Sequence, residues 1–213
     1  MKTALLAGAT GLIGSQLLEL LINNDRYGKI IAISRKPLEL AHPKVQNVIT
    51  DFSSLELHKE QFRANDIFCC LGTTMRQAKT REAFRQVDLE YPVSLAKIGF
   101  ELGAQCYLMV SALGANKNSS VFYNRVKGET EEIVLNIGFE RVHILRPSLL
   151  LGPRKEQRTG ENTAKQAYRI FGFLIPKKYK AVESSGVARA MVQFAGTGTR
   201  GNFIHESVEL QNF

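Results

Sequence analysis

Cysteine is scarce in this 213-residue chain. Cys69, Cys70 and Cys106 show no C-x-x-C spacing and no histidine pair beside them, so neither a disulfide framework nor a zinc site is expected. His42, His58, His143 and His205 are too dispersed to ligate a metal, which leaves surface or packing roles. No window approaches the ~18 consecutive apolar residues of a membrane span. The apolar start, Met1 to Ala7, is one strand long and runs into a glycine turn rather than a cleavage site. Together these absences predict a cytoplasmic protein in a reducing compartment, with no signal peptide and no membrane contact. Internal repeats and low-complexity tracts are missing too. A chain of this length is most economically one domain, burying roughly 70% of its unfolded surface.

Acidic residues are outnumbered, 20 against 28 Lys and Arg, for a formal charge of +8. The excess is scattered. Two groupings stand out, Arg154 with Lys155 and Arg158, and Lys177 with Lys178 and Lys180, but neither is long enough for a basic arm. Nucleic acid is therefore not an expected partner, whereas positive potential suits a polyphosphate cofactor.

What is present is concentrated near the start. Leu5 to Gly14 read LLAGATGLIG, an apolar strand, a glycine-rich turn and the beginning of an amphipathic helix that continues through Leu17, Leu18, Leu20, Leu21 and Ile22. Gly8 permits the tight turn, Gly11 admits a pyrophosphate against the backbone, and Gly14 lets the helix pack close to the strand. Unpaired N–H groups and the positive end of the helix dipole then favour an anion beside Thr10, Leu12 and Ile13. The glycines are spaced G-x-x-G-x-x-G rather than G-x-G-x-x-G. The strand before and the helix after them support the dinucleotide reading.

Apolar runs and helical patterns alternate from there. Strands are expected at 29–34, 45–50, 66–71, 105–111 and 141–146, and helices at 81–88, at 92–103 behind Pro92, and at 121–137. This alternation predicts an α/β fold, a doubly wound parallel sheet of Rossmann-like type, with ligands at the carboxyl ends of its strands. Cys69 and Cys70, being adjacent, should leave the fourth strand on opposite faces as small buried hydrophobes. The last third is less regular. Residues 152–163 are polar and turn-rich, 164–174 and 184–195 look helical, and 201–205 look like a short strand. Residues 152–213 are expected to form a small substrate-side lobe of a single NAD(P)-binding domain spanning 1–213.

The strand ends are where chemistry is expected. The second strand closes in Ser34, Arg35 and Lys36, where an NAD-specific site would carry an acid for the ribose hydroxyls; two cations in its place favour a 2′-phosphate, and hence NADP over NAD. Asp51 and Phe52 follow the third strand and are candidates for the adenine edge, and Leu71, Gly72 and Thr73 after the fourth would let backbone approach the middle of the cofactor. Ser111 closes the fifth strand, and Tyr123 and Lys127 follow in Y-N-R-V-K. Four residues apart, they share a helical face. The ammonium favours the phenolate and so suits Tyr123 to move a proton, while the Ser111 hydroxyl would polarise a substrate carbonyl. Hydride exchange with nicotinamide would complete the reaction.

These features resemble the short-chain dehydrogenase/reductase superfamily. FCCLGTT (68–74), VSALGA (110–115), YNRVKGETEE (123–132) and RPSLLLGPRKEQRTGE (146–161) are similar to its Tat-interacting-protein-like branch of atypical reductases. The resemblance covers the whole chain. It implies that Lys127 also holds the nicotinamide ribose and that Arg146, Pro147 and Ser148 border the nicotinamide end. The branch often has two serines where this chain has Ser111 and Ala112, so only Ser111 carries over, with Ser119 and Ser120 as nearby substitutes. The shorter last third makes sugar-nucleotide epimerisation the less expected chemistry. Two functions follow: an NADP-dependent oxidoreductase of a small carbonyl or alcohol, or an NADP-binding redox sensor that acts through a protein partner. Pairing into a homodimer through the helical faces is compatible with either.

Overall fold

A computed structural model describes residues 1–152 and 176–213. Its strands are β1 (Lys2–Ala7), β2 (Tyr27–Ser34), β3 (Val45–Ile49), β4 (Asp66–Cys69), β5 (Cys106–Val110), β6 (Arg141–Arg146), β7 (Leu150–Leu151), β8 (Val182–Glu183) and β9 (Gly201–Glu206). Seven form one parallel sheet in the order β3-β2-β1-β4-β5-β6-β9, and β7 pairs with β8 separately. The order reverses between β1 and β4. In such a sheet that reversal opens a crevice at the carboxyl ends of the strands.

Strand residues alternate between two apolar layers, which is why the strands are apolar on both faces. Leu6 and Ile30 pack with α1 (Leu12–Ile22) and α6 (Ser184–Ala195) through Leu17, Leu21, Val187 and Met191. Leu5 and Ile31 face the other way, toward Leu55 of a 3-10 segment (Phe52–Phe62), α4 (Tyr91–Glu101) and α5 (Phe122–Leu135), through Leu95, Ile98 and Val134. The doubly wound Rossmann-like fold is the one expected. Cys69 and Cys70 do part to opposite layers, although Cys70 is only half-buried, with its Sγ 3.8 Å from the Met191 sulfur. Within the stretch expected as a lobe, α6 covers the main sheet and β9 extends it, while β8 stands apart and pairs with β7, which precedes the stretch. Residues 153–175, including the expected helix at 164–174 and the Arg154 grouping, lie outside the described residues.

Two corrections bear on the crevice. Strand β4 stops at Cys69 rather than 71, because its chain crosses directly over Gly8. A Cβ at Gly8, whose φ is +90°, would come within 2.7 Å of the Cys70 carbonyl oxygen. The two helices expected at 81–88 and 92–103 are instead one continuous run. It comprises α3 (Arg81–Arg85), following the short α2 (Met75–Ala78), then a π turn (Gln86–Glu90), then α4. Pro92 explains the turn. It has no N–H for the Asp88 carbonyl, and its ring crowds that carbonyl, so the helix widens there. The Tyr91 N–H bonds back to the Gln86 carbonyl, and the freed Asp88 carbonyl accepts from the Thr130 hydroxyl of α5 at 2.8 Å.

Candidate cofactor and active site

The turn between β1 and α1 is built from close approaches. A Cβ at Gly14 would fall 2.0 Å from the Gly8 carbonyl oxygen, so only glycine lets α1 start this near the strand. The Gly11 N–H donates to the Gly8 carbonyl at 2.9 Å and holds the turn shut. No side chain caps α1 at Gly11 and no acid stands in its first turn, which leaves the N–H groups beside Thr10, Leu12 and Ile13 for an anion. The backbone there fits a dinucleotide pyrophosphate.

At the end of β2, Ser34 is buried and Arg35 and Lys36 are exposed. Asn47 of β3 shapes this turn. Its amide donates to the Ser34 hydroxyl at 2.8 Å and the Ala32 carbonyl at 2.9 Å, and its oxygen accepts from the Leu38 N–H at 2.9 Å. Asp51 accepts from the Ser53 N–H, and Phe52 stacks on Tyr91 with ring centroids 5.6 Å apart. Burial raises the Tyr91 pKa, Asp51 and Glu90 add to that rise, and Arg35 opposes it. Arg35, Asp51, Phe52 and Tyr91 thus share one edge of the crevice.

The middle of the crevice is charged. Lys127 of α5, 4% exposed, places its Nζ 2.8 Å from Oδ1 of Asp88, itself 1% exposed. Asp88 Oδ2 accepts from the Thr73 N–H at 2.8 Å, whereas Oδ1 receives no aligned hydrogen bond, so its contact with Lys127 is one of charge. Gly72 lies over the pair: a Cβ there would stand 3.5 Å from Oδ1 and 3.7 Å from Nζ. Burial acts to lower the Lys127 pKa, but Asp88 and then Tyr123 outweigh it and the net shift is upward. Tyr123 is half-buried one helical turn away, its ring 5.4 Å from that of the buried Phe84 of α3. Among the described residues its hydroxyl has no hydrogen-bond partner.

Ser111 sits differently. Its hydroxyl donates to Glu131 of α5, and Glu131 is gripped by Arg146, with Nε to Oε1 at 3.1 Å and Nη2 to Oε2 at 2.5 Å. Arg146 also reaches Glu206 at 2.9 Å, and its pKa is driven upward by these carboxylates. Pro147 is buried, and Ser148 donates to the Lys180 carbonyl and accepts from Ser207 at 2.9 Å. Ser119 caps the approach to α5 by accepting from the Val121 N–H at 3.1 Å, and Ser120 is exposed. The crevice therefore gathers the glycine turn, Leu71 to Thr73, Tyr123 and Lys127, while Ser111 and Arg146 form a carboxylate-centred cluster beside them. Sequence reasoning missed Asp88, Glu131 and Asn47. Pro92, four residues after Asp88, was the available signal for the first, and the helical spacing 123, 127, 131 for the second.

Residues 4–172 match the NAD dependent epimerase/dehydratase family. Protein HTATIP2 of Rattus norvegicus is 35% identical over 198 residues, covering 90% of this chain and 80% of that protein. "Protein FMP52, mitochondrial" of Candida albicans is 32% identical over 208 residues, 94% of this chain and 90% of that one. Among solved structures, MoeE5 in complex with UDP-glucose and NAD superposes with a TM-score of 0.73 at 18% identity, over 95% of this chain and 74% of that one. An oxidoreductase of the short-chain dehydrogenase/reductase family from Burkholderia thailandensis gives 0.68 at 19% identity, over 98% and 92%. These two share the fold. The fungal names correct one expectation: relatives from Candida albicans and Debaryomyces hansenii are named mitochondrial, which overturns the cytoplasmic assignment. Among the described residues no helix is long and apolar enough to cross a membrane, but organelle addresses are read by receptors rather than by apolar length.

Proposed function

The chain belongs to the NAD dependent epimerase/dehydratase family, within the atypical, Tat-interacting-protein-like branch of the short-chain dehydrogenases/reductases, and from that premise we propose an NADP-dependent oxidoreductase of a small carbonyl or alcohol. The observation that carries this reading is the buried Lys127 ammonium one helical turn from the Tyr123 hydroxyl, which has no hydrogen-bond partner among the described residues, beside the Leu71 to Thr73 loop. Gly8, Thr10, Gly11, Leu12, Ile13 and Gly14 hold the pyrophosphate. Ser34, Arg35 and Lys36 take the 2′-phosphate, which is the reason for NADP over NAD, and Asp51 and Phe52 flank the adenine. Leu71, Gly72 and Thr73 line the middle, and Arg146, Pro147 and Ser148 the nicotinamide end. Bound nicotinamide supplies the hydride acceptor or donor. Tyr123 moves the proton to or from the substrate oxygen, and Lys127 supplies the positive field that favours its phenolate. Ser111 polarises that oxygen by turning its O–H away from Glu131.

A second reading is favoured by that last requirement. The Ser111 hydroxyl is already committed to Glu131, so the protein is alternatively an NADP-binding regulator with little turnover, reporting to a protein partner. The test is a side-by-side titration with NADPH and NADH of the natural chain and Arg35→Ala, followed by a carbonyl substrate screen with Tyr123→Phe. Preference for NADPH that disappears in Arg35→Ala supports the cofactor assignment, and binding of neither nucleotide overturns both readings. Turnover abolished by Tyr123→Phe with cofactor affinity kept selects the enzyme.

A further inference from the structure

Lys127 carries the main electrostatic burden of the proposed site, yet its burial works to lower its pKa. On its own helix Tyr123 opposes that, but ranks behind Asp88. Glu131, one turn further along α5, is neutralised by Arg146. The Cys69 thiol on β4, which also faces Lys127, is kept protonated by its own burial. The main group that holds the charge is Asp88, 2.8 Å from the ammonium, and three features of the fold fix it in place. The π turn forced by Pro92 brings Asp88 onto α5. Its carbonyl is bound by Thr130 at 2.8 Å, and its Oδ2 by the Thr73 N–H at 2.8 Å. One side chain thereby joins the β4 loop, the turn before α4 and the lysine of α5.

We propose that Asp88 is the positioning residue of this site: it keeps Lys127 charged and fixed in the crevice, and ties that charge to the loop that faces the middle of the cofactor. The inference rests on the NAD(P) reading for its functional half only. Its electrostatic half stands on the buried pair itself. Removing the Asp88 charge while keeping its shape leaves a buried ammonium without a counter-ion, so Lys127 loses its proton at lower pH. In the folded variant its pKa then falls below the unfolded value, and the unfolded chain binds the extra proton. The variant is therefore least stable near neutrality and regains stability as pH rises toward 10. The natural chain, whose Lys127 is shifted upward, shows no such gain.

The experiment compares the natural chain, Asp88→Asn, Lys127→Met and the double variant by urea unfolding between pH 7 and 10, and by NADPH fluorescence titration over the same range. Expected is a stability of Asp88→Asn that rises with pH, a slope that vanishes in the double variant, and NADPH affinity in Asp88→Asn that falls at least tenfold from pH 7 to 10 while the natural chain stays level. A merely structural aspartate would lower stability equally at every pH, and that result overturns the proposal. If Asp88→Asn does not fold, recovery of folding in the double variant supports the pair, and failure of both overturns it. If the stability slope appears but no variant and not the natural chain binds NADPH or NADH, the cofactor reading falls and the hold of Asp88 on Lys127 stands.

Discussion

Two buried aspartates sit at opposite ends of the sheet and are treated differently by the fold. Asp66, at the amino end of β4, is fully buried and fully partnered. It accepts from the Tyr27 hydroxyl at 2.8 Å, pairs with Lys2 at 3.0 Å and with Arg141 at 3.4 Å, and Arg141 is further tied to the Ala195 and Thr197 carbonyls. Burial, followed by Asp66, drives the Tyr27 pKa far upward, so its phenol is a fixed donor. Asp88, at the carboxyl end, faces one cation with one oxygen left unaligned beneath a glycine. A fully bonded polar cluster clamps strand ends together, whereas one with an unaligned oxygen leaves part of its hydrogen-bonding capacity unused.

The largest expected effect comes from breaking the closed cluster. Asp66→Asn strands the buried Arg141 guanidinium and should cost about 3 to 5 kcal/mol in urea unfolding. It should leave NADPH affinity of the folded fraction unchanged, since Asp66 lies at the far end of the sheet. A loss of affinity to match the loss of stability would erase the distinction between the two ends.

A second test asks whether an unpartnered buried atom by itself marks a site. Among the described residues only Asp88 Oδ1 and His143 Nε2 lack hydrogen-bond partners in this way. His143 stacks against Phe203 at 4.9 Å and Phe194 at 5.7 Å, with its Nδ1 3.0 Å from His205, which in turn meets Glu209. Burial, then His205 and Arg141, pull its pKa down to about 4. Because the folded pKa lies below the unfolded one, the unfolded chain takes the proton first. Stability is complete above about pH 6.5 and declines toward pH 4, by roughly 3 kcal/mol. His143→Phe should remove that part of the acid sensitivity and leave NADPH binding untouched. Unfolding midpoints at pH 7.5 and 4.5 measure the first effect, and titration the second. Weakened cofactor binding would mean that the aromatic stack belongs to the site.

Much of the architecture was legible because local pattern and global fold agree. The glycine turn, the apolar strands and the Tyr123 and Lys127 pair each carry their signal within a few residues. What was not legible depends on contacts made across the chain. Asp88 looks like any helical acid until α5 folds onto it, and Glu131 looks like the surface acids beside it until Arg146 arrives from β6. In the sequence Pro92 suggests a helix opener, because proline is common at that position. Within a longer helical run the same residue widens a turn instead, and that outcome depends on Thr130 being there to take the released carbonyl.

Thr130 supplies the smallest and sharpest test of the comparison. Its hydroxyl donates to the Asp88 carbonyl at 2.8 Å and approaches the Val126 carbonyl at 2.9 Å, within a fully buried contact. Thr130→Val keeps the shape and leaves the Asp88 carbonyl without a donor, which should cost about 1 to 2 kcal/mol. If the π turn exists to aim Asp88, the loss is accompanied by a few-fold fall in NADPH affinity, because the carboxylate that fixes Lys127 is no longer held from its own backbone. If the turn only accommodates Pro92, stability falls and affinity does not. The two outcomes separate a strained helix from one shaped for the crevice, and calorimetric titration of Thr130→Val beside the natural chain at pH 7.5 distinguishes them.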